Sequence, residues 1–219
     1  MVWTSRPVKQ ITGTLRAPGD KSCSHRALIL SGLATGNSEI SGLLEGEDVL
    51  NTGRVMAALG ADVERVGDGA WQVKGVGEAG LQSPSVDLDF GNSGTGSRLM
   101  MGVVAGYPIT ARFIGDESLS GRPMGRVLDP LSEMGISYDA ADGKRLPLVL
   151  TGKRDLNAIT YTPPHASAQV KSCILLAGLN AQGVTEVREP RITRDHSERM
   201  LRGFGAEVLS TIVSCASKD

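Results

Sequence analysis

Three stretches of the sequence read almost alike: ALILSGLATG at 27–36, SRLMMGVVAG at 97–106 and SCILLAGLNAQG at 172–183. Gly32 in the first stretch aligns with Gly102 and Gly178 in the other two, at offsets of 70 and 146 residues. A second set of glycines follows at a similar spacing: Gly60, Gly135 and Gly205. Self-similarity at a nearly fixed period indicates a fold that is built from repeated units.

Each copy predicts the same order of elements, βαβαββ. The opening strands are predicted at 13–17, 86–90 and 158–162. A mostly apolar helix follows each of them at about 24–35, 95–105 and 168–180, and a second strand follows at 38–44, 109–115 and 184–189. A helix that is apolar all round is normally buried. We therefore predict an α/β (α+β) fold in which three βαβαββ repeats (13–82, 83–155 and 156–219) surround a pseudo-threefold axis.

The second helix of each copy is amphipathic, and each has its own start signal. In the first copy, Asp48 is a candidate N-cap. In the second copy, Pro123 is expected in the first helical turn, where proline is favoured. In the third copy, Asp195 and Glu198 have the spacing of a capping box.

A β-hairpin should close each copy, with turns at 67–69 and near 142–143 in the first two. In the third copy only EVLSTIVS (207–214) fits before the last residue, so most of the return strand is missing. We therefore expect the chain to be a fragment of a longer protein.

The composition excludes several classes of protein. The chain has 219 residues and a net charge of −1, so it lacks the positive excess typical of proteins that bind nucleic acid or anionic membranes. No apolar run approaches the ~20 residues that span a bilayer. The first ten residues lack the apolar core of a signal peptide, which indicates a cytoplasmic protein. The cysteines (Cys23, Cys173 and Cys215) are too scattered for a zinc site, so no metal is expected.

The segment before each buried helix is rich in glycine, polar side chains and cations: PGDKSCSHR (18–26), GNSGTGSR (91–98) and PPHASAQ (163–169). These segments occupy equivalent positions in the repeat, so the pseudo-threefold packing would bring three helix N-termini to one surface. Unpaired N–H groups and the positive end of the helix dipole favour an anion there. The added Lys and Arg side chains indicate a phosphate or a carboxylate.

Simpler interpretations of these segments stay open. A Ser or Asn before a helix is most often only a cap, and a lone arginine such as Arg122 is typical of a surface charge. The GTG run at 94–96 lacks the third glycine of a dinucleotide fingerprint, and GDKS at 19–22 lacks the Gly-Lys pair of a P-loop.

Five motifs together carry a resemblance to a known family: GDKSCSHRA (19–27), GNSGTGSRL (91–99), GRPMGRVLDPL (121–131), SAQVKSCILLAGL (167–179) and TRDHSERML (193–201). The sequence resembles the 5-enolpyruvylshikimate-3-phosphate (EPSP) synthase family over nearly its whole length, but only the first half of that enzyme. The resemblance implies one domain of the enolpyruvyl transferase fold, an inside-out α/β barrel. Residues 1–12 would lead from the other domain, and 13–219 would form this one with a truncated last repeat.

The family resemblance implies a transferase of the shikimate pathway. Its reaction moves the enolpyruvyl group of phosphoenolpyruvate to the 5-hydroxyl of shikimate 3-phosphate and releases phosphate, without a metal or organic cofactor. The implied partners are these two substrates and a complementary C-terminal domain, with no nucleic acid or membrane. The inhibitor glyphosate would occupy the phosphoenolpyruvate site.

The resemblance also implies roles for individual residues. Lys21 would touch both substrates near the reacting centre and is the candidate catalytic residue. The expected contacts to shikimate 3-phosphate are Ser22 and Arg26 at its carboxylate, and Ser167, Ala168, Gln169 and Arg194 at its phosphate and ring. The expected contacts to phosphoenolpyruvate are Asn92, Gly94 and Thr95, with Arg122 as the anion clamp.

Two other functions stay open at this point. The sister transferase that acts on UDP-N-acetylglucosamine usually has a cysteine on the loop before the RP motif, but GDESLSGRP (115–123) has none. The chain could also be a non-catalytic phosphate-binding half. In the EPSP synthase family the proton-transfer groups lie in the second domain, so we expect this chain alone to be inactive or weakly active.

Overall fold

A computed structural model of the chain describes residues 2–212. The first unit contains α1 (Lys21–Leu33), β1 (Asn37–Ser41), α2 (Glu47–Ala58), β2 (Asp62–Gly67) and β3 (Ala70–Lys74). Its strands form an antiparallel sheet in the order β1-β3-β2. The predicted hairpin is confirmed, and Gly69 in its turn has a φ of 62°, a conformation that favours glycine.

The second unit follows the predicted βαβαββ order most closely. It contains β4 (Leu88–Asp89), α3 (Gly94–Ala105), β5 (Thr110–Ile114), α4 (Glu117–Ser120), α5 (Gly125–Glu133), β6 (Ser137–Ala141) and β7 (Arg145–Thr151). The sheet order is β4-β5-β7-β6, with β4 parallel to β5 and the other pairs antiparallel. The short helix α4 is an addition that the sequence analysis does not predict.

The third unit has the same helices but much shorter strands. It contains β8 (Leu156–Asn157), β9 (Thr160–Tyr161), α6 (Ala168–Gly178), β10 (Ala181–Gln182), β11 (Glu186–Val187) and α7 (His196–Gly203). Its strands form two parallel pairs, β8 with β10 and β9 with β11. No helix among residues 2–212 is both long and apolar enough to cross a membrane.

Some predicted strand boundaries are wrong. Residues 13–17 form no strand, and no strand within residues 2–212 pairs with them. Residues 206–212 also form no strand, while the rest of the predicted last hairpin lies outside the described residues. Helix α1 begins three residues before the predicted start, because the Asp20 carboxylate caps it by accepting a hydrogen bond of 2.7 Å from the Cys23 N–H.

The predicted start signals of the second helices are only partly right. Asp48 is not an N-cap, because Gly46 holds that position and Asp48 lies in the first turn of α2. Pro123 precedes α5, which begins at Gly125. Asp195 does occupy the N-cap of α7, but its side chain makes no capping hydrogen bond. Glu198 binds Lys171 instead of completing a capping box.

Helix α3 lies in the core and packs directly against α6. A Cβ atom on Gly102 would lie 2.2 Å from the carbonyl oxygen of Cys173, so only glycine permits this approach. A Cβ at the aligned Gly32 would lie 2.4 Å from Cε of Met56, the end of a flexible side chain that could move aside. Close backbone packing therefore explains the glycine at Gly102 but does not require one at Gly32.

Candidate functional site

The first turns of the three buried helices lie together. Gln169 in α6 donates a hydrogen bond of 2.9 Å from Nε2 to Oγ1 of Thr95 in α3. Arg26 in α1 donates a hydrogen bond of 2.7 Å from Nη2 to Oγ of Ser172 in α6. These bonds join the first turns of α3 and α6 and link the N-terminal half of α1 to that of α6, which is the adjacency that the sequence repeat predicts.

Asn92 and Arg122 are joined beside the start of α3. Arg122 donates from Nη2 to Oδ1 of Asn92 at 2.6 Å, and Asn92 donates from Nδ2 to Oδ2 of Asp116 at 2.7 Å. The backbone N–H of Leu119 also donates to Asp116, and this bond, together with that from Asn92, holds the pKa of the Asp116 carboxyl below its usual value. Helix α4 thus fixes the orientation of Arg122 through Asp116 and Asn92.

Gly94 leaves room for two guanidinium groups at the first turn of α3. A Cβ atom at this position would lie 3.0 Å from Nη1 of Arg98 and 3.1 Å from Nη1 of Arg122. The positive end of the helix dipole adds to the field of these two cations. An anion at this point would meet both arginines and the helix start together.

Arg98 is a buried cation beside the predicted site residues that the sequence analysis does not single out. The residue is 6% exposed, and its guanidinium donates to the Gly94 carbonyl, the Gln169 side chain and the Pro123 carbonyl at 3.2–3.3 Å. Its Nε has no hydrogen-bond partner in the structure of residues 2–212. Burial, followed by the nearby charges of Arg126 and Arg122, lowers the pKa of Arg98 to about 10. A cation that is buried beside other cations is suited to binding an anion.

A groove of about 500 Å³ lies at the start of α6. Its lining includes the predicted residues Ser167, Ala168, Gln169 and Arg194, together with Ala166, Ile192 and Thr193. Ser167 also caps α6 through a long contact of 3.4 Å from the Val170 N–H, so the simple capping interpretation holds for it as well. The 192–194 segment and the start of α6 both line the groove, so a phosphate bound there would contact both.

Lys21 is the first residue of α1 and is about half exposed. Its ammonium group forms an ion pair with the carboxylate of Asp48 in α2. Asp48 therefore places the lysine rather than capping the helix, which is a role that local sequence cannot show. No hydrogen bond among residues 2–212 joins Lys21 to Asn92 or to the groove residues.

Arg26 is a buried arginine with several protein partners. It is 5% exposed, and burial is the main reason that its pKa lies below the usual value. Besides its bond to Ser172, it donates from Nε to Oγ of Ser197 at 2.7 Å and from Nη1 to the carbonyl of Ser22 at 2.9 Å. These bonds occupy three of the five donors of a guanidinium, so Arg26 braces α1, α6 and α7 and has donors left for a ligand.

A second buried cation, Lys171 in α6, was also missed. Its Nζ lies 2.7 Å from an oxygen of Glu189 and 2.7 Å from an oxygen of Glu198. Burial opposes its charge, but the hydrogen bonds to the two glutamates outweigh that effect and raise the pKa of Lys171. Thr193 donates to the same Glu189. Lys171 thereby ties the segment that carries Arg194 to α6.

Both missed cations have a signal in the sequence. Arg98 and Lys171 are single charges inside helices that are otherwise apolar. A charge in that position needs either a buried counter-ion or a ligand. The sequence does not say which of the two applies, because the partners come from distant parts of the chain.

Similar proteins of known family indicate which family this chain belongs to. The sequence profile described as EPSP synthase (3-phosphoshikimate 1-carboxyvinyltransferase) matches residues 5–213. The chain belongs to the EPSP synthase family. The 3-phosphoshikimate 1-carboxyvinyltransferases of Hyphomonas neptunium and Parvibaculum lavamentivorans are 64% and 62% identical to it. Each alignment covers 94% of this chain but only 47% and 46% of the relative, respectively.

A solved structure supports the same EPSP synthase assignment. The EPSP synthase from Acinetobacter baumannii superposes with a TM-score of 0.87 at 44% identity, over 91% of this chain and 45% of that one. The predicted fold class, one part of the enolpyruvyl transferase fold, is confirmed. The chain spans about half the length of the EPSP synthases that it matches.

Within this EPSP synthase family member, the predicted site residues form three neighbouring groups. The α3 group contains Asn92, Gly94, Thr95 and Arg122. The α6 group contains Ser167, Ala168, Gln169 and Arg194. The α1 group contains Lys21, Ser22 and Arg26. Gln169 links the first two groups, and Arg26 links the third to α6 through Ser172.

Proposed function

We propose that this chain supplies one half of an EPSP synthase active site. In the complete enzyme, the 5-hydroxyl oxygen of shikimate 3-phosphate bonds to C2 of phosphoenolpyruvate, and the hydroxyl proton is released. The bond from that carbon to the phosphate oxygen breaks, and phosphate leaves. The observation that carries the proposal is the convergence of Arg98 and Arg122 on the start of α3, beside a polar groove at the start of α6.

The α3 group is the proposed subsite for phosphoenolpyruvate. Arg122 supplies an oriented cation, Asn92 and Thr95 supply polar side chains, and Gly94 leaves the space between them. The buried Arg98 adds a second positive charge close to the same place. Each charge-assisted hydrogen bond to the ligand would contribute about 1.5–3 kcal/mol.

The α6 group is the proposed subsite for the phosphate and ring of shikimate 3-phosphate. Ser167, Ala168 and Gln169 lie at the helix start, and Arg194 lies across the groove. Gln169 contacts both Thr95 and Arg98, so it marks the boundary with the α3 group. This arrangement would bring two anions next to each other while cations from both groups offset their repulsion.

The α1 group is proposed to bind the shikimate carboxylate through Ser22 and Arg26. Lys21 is the proposed catalytic residue, in contact with both substrates. Its pairing with Asp48 keeps the ammonium group at the start of α1 until the substrates bind. Arg26 would take part with the donors that its three protein bonds leave free.

A complementary C-terminal domain is the proposed partner, because the chain covers only 45–47% of its relatives. That domain would bring the proton-transfer groups, whose contribution to a reaction is typically 10²–10⁴-fold. Closure of the two halves would also exclude water from the ligands. We propose that the reaction takes place in the cytoplasm.

Calorimetry and turnover together test this function. The full chain should bind shikimate 3-phosphate on its own and should release phosphate from both substrates only after the complementary half of a close relative is added. Replacement of Arg122 by Ala should weaken binding of phosphoenolpyruvate. The exposed Arg65, which pairs with Glu45, provides a control as Arg65→Ala.

Two outcomes would contradict the proposed function. Absence of shikimate 3-phosphate binding by both the chain and the reconstituted pair would remove the substrate assignment. Binding without turnover in the reconstituted pair would favour a non-catalytic phosphate-binding half.

A further inference from the structure

A cluster of metal-ligating side chains lies outside the predicted site residues. The carboxylate of Asp20, the thiol of Cys23 and the imidazole of His196 have ligand atoms that all lie within 4.8 Å of one another. The sequence analysis expects no metal site, because the cysteines are scattered along the chain. The structure brings Cys23 together with a carboxylate and an imidazole instead of with other cysteines.

The scaffold around this cluster is well defined. Asp20 is the N-cap of α1 and Cys23 lies in the first turn, so both belong to one helix start. His196 is the first residue of α7. The adjacent Ser197 accepts a 2.7 Å hydrogen bond from Arg26 of α1, which holds the two helix starts side by side.

We propose that Asp20, Cys23 and His196 form a binding site for a thiophilic divalent cation, of which Zn²⁺ is the first choice. One carboxylate, one thiolate and one imidazole are ligands that Zn²⁺ accepts, whereas Mg²⁺ and Ca²⁺ prefer oxygen alone. Ligand atoms about 2.0–2.3 Å from a tetrahedral Zn²⁺ lie about 3.5 Å apart, so modest side-chain rotations would complete the set. A fourth position would stay open to water or another ligand.

The existing contacts of these side chains are compatible with a cation. The Asp20 carboxylate accepts from the Cys23 N–H through Oδ1 and also from the Cys23 thiol, and a cation between the two side chains would replace the thiol hydrogen bond. Burial and the neighbouring Asp20 raise the pKa of the Cys23 thiol, while Arg26 and Arg199 act in the opposite direction. Because the thiolate is the form of cysteine that binds a metal, the cation would displace the thiol proton.

Cobalt substitution is the direct test, with the full chain and CoCl₂ as the probe. We expect one Co²⁺ per chain, a thiolate-to-cobalt charge-transfer band, and loss of that band on addition of ZnCl₂. Calorimetry with ZnCl₂ in buffers of different ionisation enthalpy should show release of about one proton. The variants Cys23→Ser and His196→Gln should lose the band or bind at least tenfold more weakly.

Matched controls separate this site from adventitious binding. Cys215→Ser, at a position outside the described residues, and His165→Gln should leave the cobalt band unchanged. A band that persists in Cys23→Ser, or that Cys215→Ser removes, would overturn the proposal, as would absence of any band in the unmodified chain.

A measurement on the unmodified chain keeps the test valid if a variant fails to fold. Bound Zn²⁺ should protect Cys23, mapped by mass spectrometry, from alkylation by iodoacetamide. Equal alkylation of Cys23 with and without Zn²⁺ would contradict the site. Neither readout depends on EPSP synthase activity.

Discussion

Arg98 and Lys171 lie on the adjacent helices α3 and α6 and are equally buried, each 6% exposed, but their surroundings are opposite. Lys171 lies between two carboxylates at 2.7 Å. Arg98 has carbonyl and amide oxygens as its partners, and the charges nearest to it are other arginines. We interpret Lys171 as a cation that holds the fold and propose that Arg98 is a cation that binds a ligand. The most informative experiments therefore make the same substitution at Arg98 and at Lys171 and compare the effects on stability and on ligand binding.

The largest expected effect is that of Lys171→Met on stability. The substitution leaves Glu189 and Glu198 without their shared cation, and breaking a buried pair in this way costs about 3–5 kcal/mol. Denaturant unfolding measures the change. Lys144→Met is the control, because its exposed pair with Asp129 is screened by solvent and should contribute little to stability. Similar losses for both variants would show that burial does not distinguish these two pairs.

His25 is a buried basic residue that extends the comparison, because burial favours its neutral form. It is fully buried, and burial, followed by the nearby Lys21, lowers its pKa from 6.5 to about 4. The unfolded chain therefore takes up a proton between pH 6.5 and 4 that the folded chain does not. Stability should fall as the pH decreases through this window, by roughly 3 kcal/mol in total.

The His25→Asn variant tests this pH dependence. Its free energy of unfolding should decrease less between pH 7 and pH 4.5 than that of the unmodified chain. His165→Asn, at an exposed position, is the matched control for the loss of an imidazole. Parallel pH profiles for the unmodified chain and His25→Asn would mean that folding leaves the pKa of His25 unchanged.

Arg98→Met should have the opposite effect to Lys171→Met: it should change ligand binding more than stability. We expect little change in unfolding free energy, since burial already disfavours the charged guanidinium. Binding of phosphoenolpyruvate should weaken by about 1.5–3 kcal/mol, the contribution of one charge-assisted contact. Calorimetry and denaturant unfolding on the same preparation give both numbers. A large stability loss with unchanged binding would remove Arg98 from the proposed subsite.

The smallest effect is expected for Gly94→Ala. The added methyl would lie about 3 Å from the guanidinium groups of Arg98 and Arg122, and such overpacking costs roughly 1 kcal/mol or more. Binding of phosphoenolpyruvate and of glyphosate should weaken, while binding of shikimate 3-phosphate should change less. Gly203→Ala is the control, because a Cβ there meets nothing within 4 Å. Equal affinities in the two variants would argue against a ligand beside Gly94.

The sequence predicts the architecture well wherever the signal is local. The apolar repeat places α1, α3 and α6 within about three residues, and the Gly69 turn identifies the first hairpin. The third unit is predicted least well, because strands of two residues such as β9 are too short for alternation to identify. The segment 13–17 has strand-like residues but no pairing strand among the described residues.

Prediction of the site fails for residues whose partners are distant in sequence. Asp48 reads as a helix cap, but it pairs with Lys21 across 27 residues. The carboxylates that pair with Lys171 belong to Glu189 and Glu198, which local patterns assign to the end of a strand and to a capping box. The helix-start motifs therefore indicate where the candidate site lies. The ion pairs that its lysines form appear only in the folded structure.

The backbone contact at Gly102 has a consequence for selectivity. Because a single methyl group would not fit between α3 and Cys173, neither helix can slide along the other without a steric collision. The separation between the two proposed subsites is thus a fixed length, set by main-chain atoms rather than by mobile side chains. If the proposed subsites are correct, this fixed separation would disfavour pairs of anions with a different spacing.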